Sequence, residues 1–513
     1  MMRRAAVATE PESDVTLLLE GTYPYVRGGV SSWVHQIIRG LPDVRFSLAF
    51  VGGQRKDYGD IRYELPDNVV RLDTFYLEDA LRGLSNRLRV RRMGGKQLRS
   101  VKELHGCLRD REARGDGSLP PIVREMLGTI ERPRGLQFED FMYGSGAFEF
   151  IRERHMAGNA DASFVDYFWT LRLLHGPIFQ LARIADQLPP TRLFHAISTG
   201  FAGLLGAMLK ERRGTPLVLT EHGIYTKERR IDLNKAEWIE ALRDLRGNTG
   251  TDPSQCVRDL WVRYFENMGR MTYAAADPII SLYEGNRRYQ LADGADETRT
   301  RVIVNGIDVE RFAPALLARP EEPPQVIGLI GRVVPIKDIK TFIRAMHQAI
   351  EKRPGLEGWI IGGEDEDPGY AAECHSMVES LGLQEKVRFL GHQDVSEMLP
   401  KLGAVMLTSI SEAQPLSVLE AFAAGVPCIT TDVGACREQI EGRSEEDKAL
   451  GIAGRVVPFA DDKALAEASL WLLGDVENYR NCQRAALQRV NRYYTQKDMI
   501  AAYDGVYRSV MEG

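Results

Sequence analysis

The chain has 513 residues, of which 44% are hydrophobic and 27% charged, and its net charge at pH 7 is −6. This length and balance predict about two to four soluble globular domains. Because the net charge is negative, overall electrostatic attraction does not favour binding to nucleic acid, and we expect no nucleic-acid partner.

Short apolar runs alternate with amphipathic segments along both halves of the chain. Runs of about four to six residues rich in Val, Ile, Leu or Phe predict buried parallel strands, with helices between them. The strands are predicted at residues 14–19, 46–51, 193–196, 216–220, 278–281, 325–330, 357–361, 387–390, 404–407 and 427–430, and helices at 340–352, 371–381 and 417–424. This alternation predicts an α/β fold of two doubly wound, Rossmann-like domains.

A proline-rich segment at residues 310–324 separates the two halves and predicts a linker. We therefore predict an N-terminal domain over residues 1–310 with an insertion at about 77–169, and a C-terminal domain over 325–490. Residues 491–513 are predicted to form a helix that returns to the first domain.

The insertion is rich in basic residues, with few acids between them. They are Arg82, Arg87, Arg89, Arg91, Arg92, Lys96, Arg99, Lys102, Arg109, Arg111 and Arg114. A solvated insertion is the favoured interpretation, and a docking face for an acidic partner, a polymer or a membrane surface is the alternative.

The sequence also bears on location and redox state. It has neither an N-terminal segment that resembles a signal peptide nor a run of about 18 apolar residues that could span a membrane. We therefore expect a cytoplasmic protein that attaches to the inner membrane through a partner protein. The six cysteines match neither zinc-site nor disulfide spacing, and we expect free thiols.

Two glutamates, Glu412 and Glu420, lie eight positions apart near a predicted helix start at Pro415 and Leu416. A helix N-terminus favours a phosphate group, which makes Pro415, Leu416 and Ser417 candidate phosphate ligands. Glu420, about one turn inside that helix, is placed to accept hydrogen bonds from ribose hydroxyls.

Further candidates follow predicted strands. Gly28 and Gly29 form a strand-to-helix turn that lets a phosphate approach the backbone. Arg332 and Lys337 follow the first strand of the second half, where two cations can bracket a diphosphate and stabilise its charge as it leaves. His222 ends another strand, where a structural histidine is the alternative interpretation.

The pattern from Glu412 to Pro427 resembles the signature of family 4 glycosyltransferases, which are retaining enzymes of the GT-B fold with two domains facing across a cleft. Four further segments agree with the resemblance, in the same order. They are the turn at Gly28-Gly29, Thr220-Glu221-His222-Gly223, Asn305-Gly306-Ile307-Asp308 and residues 331–338. The insertion and the sequence of residues 412–417 narrow the resemblance to enzymes of Pel-type exopolysaccharide synthesis.

The resemblance implies roles for these residues. The expected catalytic residues are His222, Arg332, Lys337 and Glu412, and the expected nucleotide-sugar ligands are Gly28, Gly29, Pro415, Leu416, Ser417, Glu420, Gly391 and His392. Ala413 and Gln414 depart from the usual Glu-Gly-Phe-Gly of the family beside the donor sugar.

The implied reaction is transfer of a hexose or N-acetylhexosamine from a UDP-sugar onto a growing exopolysaccharide. The implied partners are UDP-glucose or a UDP-N-acetylhexosamine, a polysaccharide acceptor and an inner-membrane exopolysaccharide complex. The implied scheme requires no cofactor or metal. Asp365-Glu366-Asp367 imitates the Asp-x-Asp motif of the other glycosyltransferase fold and is predicted to be a solvated acidic loop.

Three other functions stay open. A fold of this kind also serves sugar-nucleotide epimerases and disaccharide phosphorylases. A scaffold that binds a sugar nucleotide and recruits a membrane synthase would explain the basic insertion. A dinucleotide-dependent oxidoreductase is disfavoured, because no Gly-x-Gly-x-x-Gly follows the first strand of either half.

Overall fold

The computed structural model describes residues 11–82, 94–109, 121–133, 135–158, 163–234 and 253–513. The chain divides into two compact units. Unit 1 comprises Met1–Ser281, Arg287–Arg301 and Tyr503–Gly513, and unit 2 comprises Leu282–Asn286 and Val302–Ala502. No helix among the described ranges is both long enough and apolar enough to cross a membrane.

Unit 1 is built on a seven-stranded sheet with the order β3-β2-β1-β4-β5-β6-β7. Its strands are β1 (Ser13–Glu20), β2 (Phe46–Gly52), β3 (Val69–Tyr76), β4 (Thr191–Ala196), β5 (Leu217–Glu221), β6 (Ile279–Ser281) and β7 (Thr300–Val302). The pairs from β3 through β6 are parallel. The carboxyl ends of these strands therefore meet at one edge of the sheet.

Helices flank this sheet along the chain up to residue 301. They are α1 (Gly29–Gly40), α2 (Leu77–Arg82), α3 (Gly95–Arg109), α4 (Pro121–Thr129), α5 (Phe138–Tyr143), α6 (Ser145–Gly158), α7 (Phe164–Gln187), α8 (Phe201–Arg213), α9 (Tyr225–Asn234), α10 (Pro253–Ala275) and α11 (Glu284–Ala292).

The prediction that the insertion is solvated is wrong for the part of it that the structure describes. Helices α3 to α7 bury apolar side chains such as Leu104, Leu127 and Phe141 in the same core cluster as Leu18 and Ala49 of the sheet. Each of these helices has one apolar face, and burying that face stabilises the fold. The insertion is therefore a helical layer of unit 1.

The basic run falls largely outside the described part of the chain. Arg87, Arg89, Arg91, Arg92, Arg111 and Arg114 lie there, as do the side chains of Arg82, Lys96 and Arg109. The remaining two, Arg99 and Lys102, are both exposed, and Nζ of Lys102 lies 5.8 Å from the centre of the Phe150 ring.

Unit 2 is built on a six-stranded parallel sheet with the order β10-β9-β8-β11-β12-β13. The strands are β8 (Val326–Ile330), β9 (Glu357–Ile361), β10 (Val387–Gly391), β11 (Ala404–Leu407), β12 (Cys428–Thr431) and β13 (Gly454–Val457). Its helices are α12 (Ala313–Leu317), α13 (Ile339–Lys352), α14 (Pro368–Ser380), α15 (Val395–Met398), α16 (Leu416–Ala423), α17 (Cys436–Glu441), α18 (Glu445–Lys448), α19 (Asp462–Gly474), α20 (Val476–Tyr493) and α21 (Gln496–Glu512). Apolar clusters cover both faces of this sheet.

The end of α21 packs in unit 1. Tyr503 and Tyr507 are fully buried, and their hydroxyls join a buried polar chain in the sheet. The Tyr507 hydroxyl lies 2.7 Å from Nδ1 of His195 on β4, whose Nε2 lies 2.9 Å from Oγ1 of Thr220 on β5. That hydroxyl in turn lies 3.1 Å from the hydroxyl of Tyr503.

Candidate active site

An ion pair between Lys337 and Glu412 forms the centre of the candidate site in unit 2. Lys337 ends a short 3-10 turn after β8, and Glu412 lies in the loop between β11 and α16. The Lys337 Nζ lies 2.6 Å from Oε1 of Glu412, and Oγ of Ser409 donates to the same oxygen at 2.6 Å. Both charged side chains are mostly buried, with 21% and 15% exposed, so their positions are well defined.

Side-chain hydroxyls hold the loop of Glu412 against its surroundings. Thr408 donates through Oγ1 to the carbonyl of Lys337 at 2.7 Å. Thr431, at the end of β12, donates in the same way to the carbonyl of Ser409 at 2.7 Å. The loop is thus connected to two neighbouring strand ends.

Gln414 is buried and connects this loop to the segment around Asn305. Its Oε1 accepts a hydrogen bond from the backbone N–H of Asn305 at 2.7 Å. Within the described part of the chain, Nε2 of Gln414 has no hydrogen-bond partner. The family resemblance implies a place beside the donor sugar for this residue, and the structure shows that the oxygen of its amide already has a partner within the protein.

Helix α16 begins at Leu416, with Pro415 at its N-cap position. The first N–H groups of a helix have no partner inside it, so those of Leu416 and Ser417 can receive an anion. Glu420 lies one turn further on, and burial raises the pKa of its carboxyl group while Arg311 opposes that shift. The helix start that the sequence predicts is present, and the roles of these residues in binding phosphate and ribose stay predictions.

The other predicted residues of unit 2 have different surroundings. Arg332 is exposed and forms an ion pair with Glu366, whereas Lys337 pairs with Glu412. His392 follows Gly391 at the end of β10 and approaches the backbone after β9, since a Cβ on Gly363 would lie 2.6 Å from its Nε2.

No group of three or more His, Cys, Asp or Glu side chains in the described ranges is arranged to hold a metal ion. In the acidic loop, Asp365 and Glu366 are exposed, and Asp367 accepts a hydrogen bond from the backbone of Tyr370 at the start of α14.

Unit 1 carries the remaining predicted residues. Gly28 and Gly29 lie at the exposed start of α1, and a Cβ on either would meet no atom within 4 Å. His222 follows β5 and is buried, with its ring 4.6 Å from that of Trp33. Burial lowers the pKa of His222 to about 3, so its imidazole is neutral near pH 7.

A cavity of about 810 Å³ lies at the carboxyl edge of the unit 1 sheet and includes His222. Its lining comes from the ends of β1, β2, β4 and β5 and from α7, α9 and α10. The polar and aromatic lining residues are Glu20, Thr22, Tyr58, Glu78, Ser198, Phe201, His222, Tyr225, Glu228, Arg229, Trp261 and Phe265.

The sequence analysis missed all of these lining residues except His222. Glu20 was within reach, because it directly follows the apolar run of β1 and side chains at the carboxyl ends of parallel strands line ligand sites. Trp261 and Phe265 lie on α10, and no local pattern links that helix to the ends of distant strands.

Comparisons with known proteins agree with the two units. Residues 13–298 match a family described as "Domain of unknown function (DUF3492)", and residues 317–489 match the family "Glycosyl transferases group 1".

Curated relatives match part of the chain. The lipopolysaccharide core biosynthesis mannosyltransferase LpsB of Rhizobium meliloti is 29% identical over 220 residues, which cover 41% of this chain and 61% of LpsB. The D-inositol 3-phosphate glycosyltransferase of Salinispora tropica is 26% identical over 59% of this chain and 61% of its own length. The match thus spans less than two thirds of each relative.

Among solved structures, Anabaena HepE in complex with UDP superposes with a TM-score of 0.58 at 14% identity, covering 97% of this chain and all of that chain. This likeness confirms the predicted fold class, an α/β fold of the GT-B type with two Rossmann-like domains.

Proposed function

Because the chain belongs to the DUF3492 family and also contains a domain of the glycosyl transferases group 1 family, we propose that it is a glycosyltransferase that uses a nucleotide diphosphate sugar. The ion pair of Lys337 and Glu412 beside the N-terminus of α16 is the observation that carries this proposal.

The chemistry follows from where charge develops. As the bond between sugar and diphosphate breaks, negative charge grows on the departing phosphate oxygen, and preorganised cations and N–H groups stabilise that charge. Lys337 and the first N–H groups of α16 supply them here. Glu412 holds Lys337 in position, and Glu420 is placed for the ribose.

We further propose UDP as the nucleotide and retention of the anomeric configuration. One structure of HepE is a complex with UDP, and another is a complex with UDP-glucose. In the retaining scheme, the acceptor oxygen attacks from the face that the diphosphate leaves, and the departing phosphate oxygen takes the acceptor proton. Metal is not needed, because Lys337, Arg332 and the helix N-terminus supply the positive charge.

The finer proposal concerns the product. The insertion and residues 412–417 resemble PelF, the glycosyltransferase of Pel exopolysaccharide synthesis. On this basis the donor sugar is a hexose or N-acetylhexosamine, the acceptor is a growing exopolysaccharide, and the protein works in the cytoplasm beside an inner-membrane complex.

The test is a thermal-shift series with UDP, ADP and GDP, followed by UDP-sugars. A nucleotide present at 100 times its dissociation constant adds about 2.7 kcal/mol to the free energy of unfolding, and we expect this from UDP alone. Lys337→Ala should lose the UDP effect and lower the rate of sugar transfer at least about 100-fold. Lys463→Ala, which removes an exposed lysine of α19, is the matched control.

Two outcomes would contradict the proposal. Near-normal turnover by Lys337→Ala would show that the ion pair of Lys337 and Glu412 is not needed for catalysis. Tight UDP binding without turnover of any UDP-sugar would favour the nucleotide-sugar-binding scaffold.

A further inference from the structure

The cavity of unit 1 is distinct in chemistry from the phosphate-binding elements of unit 2. Its polar wall contains the carboxylates of Glu20, Glu78 and Glu228. Arg229 and His222 also line it, and His222 is neutral because burial lowers its pKa. Within the described lining, acidic groups therefore outnumber cations.

Glu20 occupies a place where an external anion would otherwise bind. Helix α8 begins after β4, and helix N-termini at strand ends bind phosphates in folds of this class. Here, Oε2 of Glu20 accepts hydrogen bonds from the N–H of Ala202 at 3.1 Å and from Oγ of Ser198 at 3.2 Å. The protein thus supplies its own carboxylate to this helix N-terminus.

Two further contacts hold the Glu20 carboxylate in place. Its Oε1 accepts a hydrogen bond from the Tyr225 hydroxyl at 2.9 Å. Gly200 leaves the space that this carboxylate needs, since a Cβ there would lie 2.4 Å from Oε2 of Glu20. The backbone at Gly200 and these hydrogen bonds therefore both hold the Glu20 carboxylate in its position.

Arg229 has partners within the protein. It forms an ion pair with Asp232 at 2.9 Å, and its guanidinium lies 5.2 Å from the centre of the Tyr225 ring. On the same helix, the Glu228 carboxylate lies beside Gly223, where a Cβ would be 2.0 Å from its Oε1. Nε of Arg229 has no hydrogen-bond partner in the described part of the chain, so an anionic ligand would meet this one guanidinium against the three carboxylates of the lining.

The aromatic wall suits a sugar ring. Tyr58, Trp261 and Phe265 line the cavity, and aromatic side chains pack well against the apolar C–H faces of other groups. The carboxylates that also line the cavity can accept hydrogen bonds from hydroxyl groups, and hydrogen bonds to ionised groups are the stronger kind.

We propose that this cavity binds the acceptor as a saccharide without phosphate or carboxylate groups and rejects anionic acceptors. The inference rests on the proposed glycosyl transfer and adds the chemical class of the acceptor.

The first test compares matched acceptors in the full chain. Methyl glycosides of glucose, galactose and N-acetylglucosamine are each offered beside their 6-phosphates, and UDP release from the UDP-sugar is measured. We expect kcat/KM for the phosphorylated acceptor to be at least about tenfold lower, since a phosphate would approach like charges at close range. Equal or better use of the phosphorylated member of a pair overturns the proposal.

Variants that replace a glutamate of the cavity by glutamine test whether the cavity causes the preference for unphosphorylated acceptors. Glu228→Gln and Glu20→Gln should each reduce the preference for the unphosphorylated acceptor severalfold. Glu153→Gln, which changes an exposed glutamate of α6, should leave the preference unchanged. An unaltered preference in both cavity variants would show that the discrimination arises elsewhere.

The second test requires no turnover. Inorganic phosphate is titrated into the wild type and Glu20→Ala, with saturating UDP present to occupy the nucleotide site. Only Glu20→Ala should gain stability from phosphate, with a rise in Tm of roughly 3 °C or more at ten times the dissociation constant. Glu20→Ser, which also removes the carboxylate from the N-terminus of α8, provides a second variant in case the alanine variant does not fold.

The outcomes separate this inference from the proposed function. Phosphate stabilisation of the wild type equal to that of the variants overturns the inference, even if UDP binds and sugar is transferred. Failure of UDP to bind contradicts the proposed function, whereas the phosphate response of the Glu20 variants still reports on the cavity.

Discussion

At the scale of single residues, Gln414 connects the loop of Glu412 to a segment that is far away in the sequence. Its amide oxygen is the acceptor for the backbone N–H of Asn305, and it stands two residues after Glu412 in the same loop. The side chain therefore sets the distance between that loop and the segment of Asn305, and we regard it as a positioning residue.

Replacing this side chain tests the assignment. Gln414→Leu leaves the buried N–H of Asn305 without an acceptor, which costs about 1–3 kcal/mol of the free energy of unfolding. We expect the KM for the UDP-sugar to rise at least about threefold, with a smaller change in kcat, because the loop loses its fixed position. Urea denaturation and steady-state kinetics measure the two effects.

The control for Gln414 is Gln488, an exposed residue of α20. Gln488→Leu should change neither stability nor KM. A KM for Gln414→Leu equal to that of the wild type would limit Gln414 to a role in stability.

At the scale of elements, the helical layer of unit 1 is held partly by a stack of buried rings. His175 of α7 lies between Phe141 of α5, at 4.5 Å, and His105 of α3, at 5.8 Å between ring centres. Its Nδ1 lies 2.8 Å from the carbonyl oxygen of Leu171. Burial lowers the pKa of His175 to about 4, so the ring stays neutral in the folded protein above that pH.

This depressed pKa makes the stability of unit 1 depend on pH. An unfolded histidine has a pKa of about 6.5, so between pH 6.5 and 4 the unfolded chain binds a proton that the folded chain does not. The free energy of unfolding therefore falls as pH falls through this window. From pH 7 to 5, His175 accounts for a loss of about 2 kcal/mol.

Urea denaturation of the wild type and His175→Phe at pH 7 and pH 5 measures this contribution. The variant should lose about 2 kcal/mol less than the wild type on acidification. Phe141→Leu disturbs the same stack without removing a titratable group, and it should keep the pH dependence of the wild type. The same pH dependence in His175→Phe and the wild type would contradict the assignment.

Central and edge strands differ in how well the sequence predicts them. Central strands such as β1, β5 and β11 are buried apolar runs, and the sequence predicts them with nearly the observed bounds. The missed strands β3, β7 and β13 lie at sheet edges. In β3, Arg71 and Asp73 are charged, and Arg71 is exposed, which breaks the apolar run on which the prediction depends.

At the scale of the whole molecule, sugar transfer should not depend on a metal ion. We expect the rate of UDP release to be unchanged after dialysis against EDTA, because the proposed site neutralises the diphosphate with Lys337, Arg332 and helix N–H groups. The rate is measured before and after dialysis, and again after adding back Mg²⁺ or Mn²⁺. A loss of rate that either ion restores would show that a metal takes part.

The fold class was predictable from alternating periodicity, because buried parallel strands and amphipathic helices leave local patterns. Residues of unit 2 such as Lys337 and Glu412 were also within reach, since each lies in a local motif. The contact between Gln414 and Asn305 was not, because it joins positions far apart in the chain. The cavity of unit 1 was missed for the same reason, because residues such as Glu20 and Trp261 line it from positions far apart in the chain.

The return of α21 to unit 1 has a consequence for biosynthesis. Tyr503 and Tyr507 fill buried positions in unit 1, yet they leave the ribosome only after all of Val302–Ala502. Unit 1 must therefore keep a gap for these side chains until all of Val302–Ala502 has been made. We therefore expect nascent unit 1 to be the part that engages chaperones.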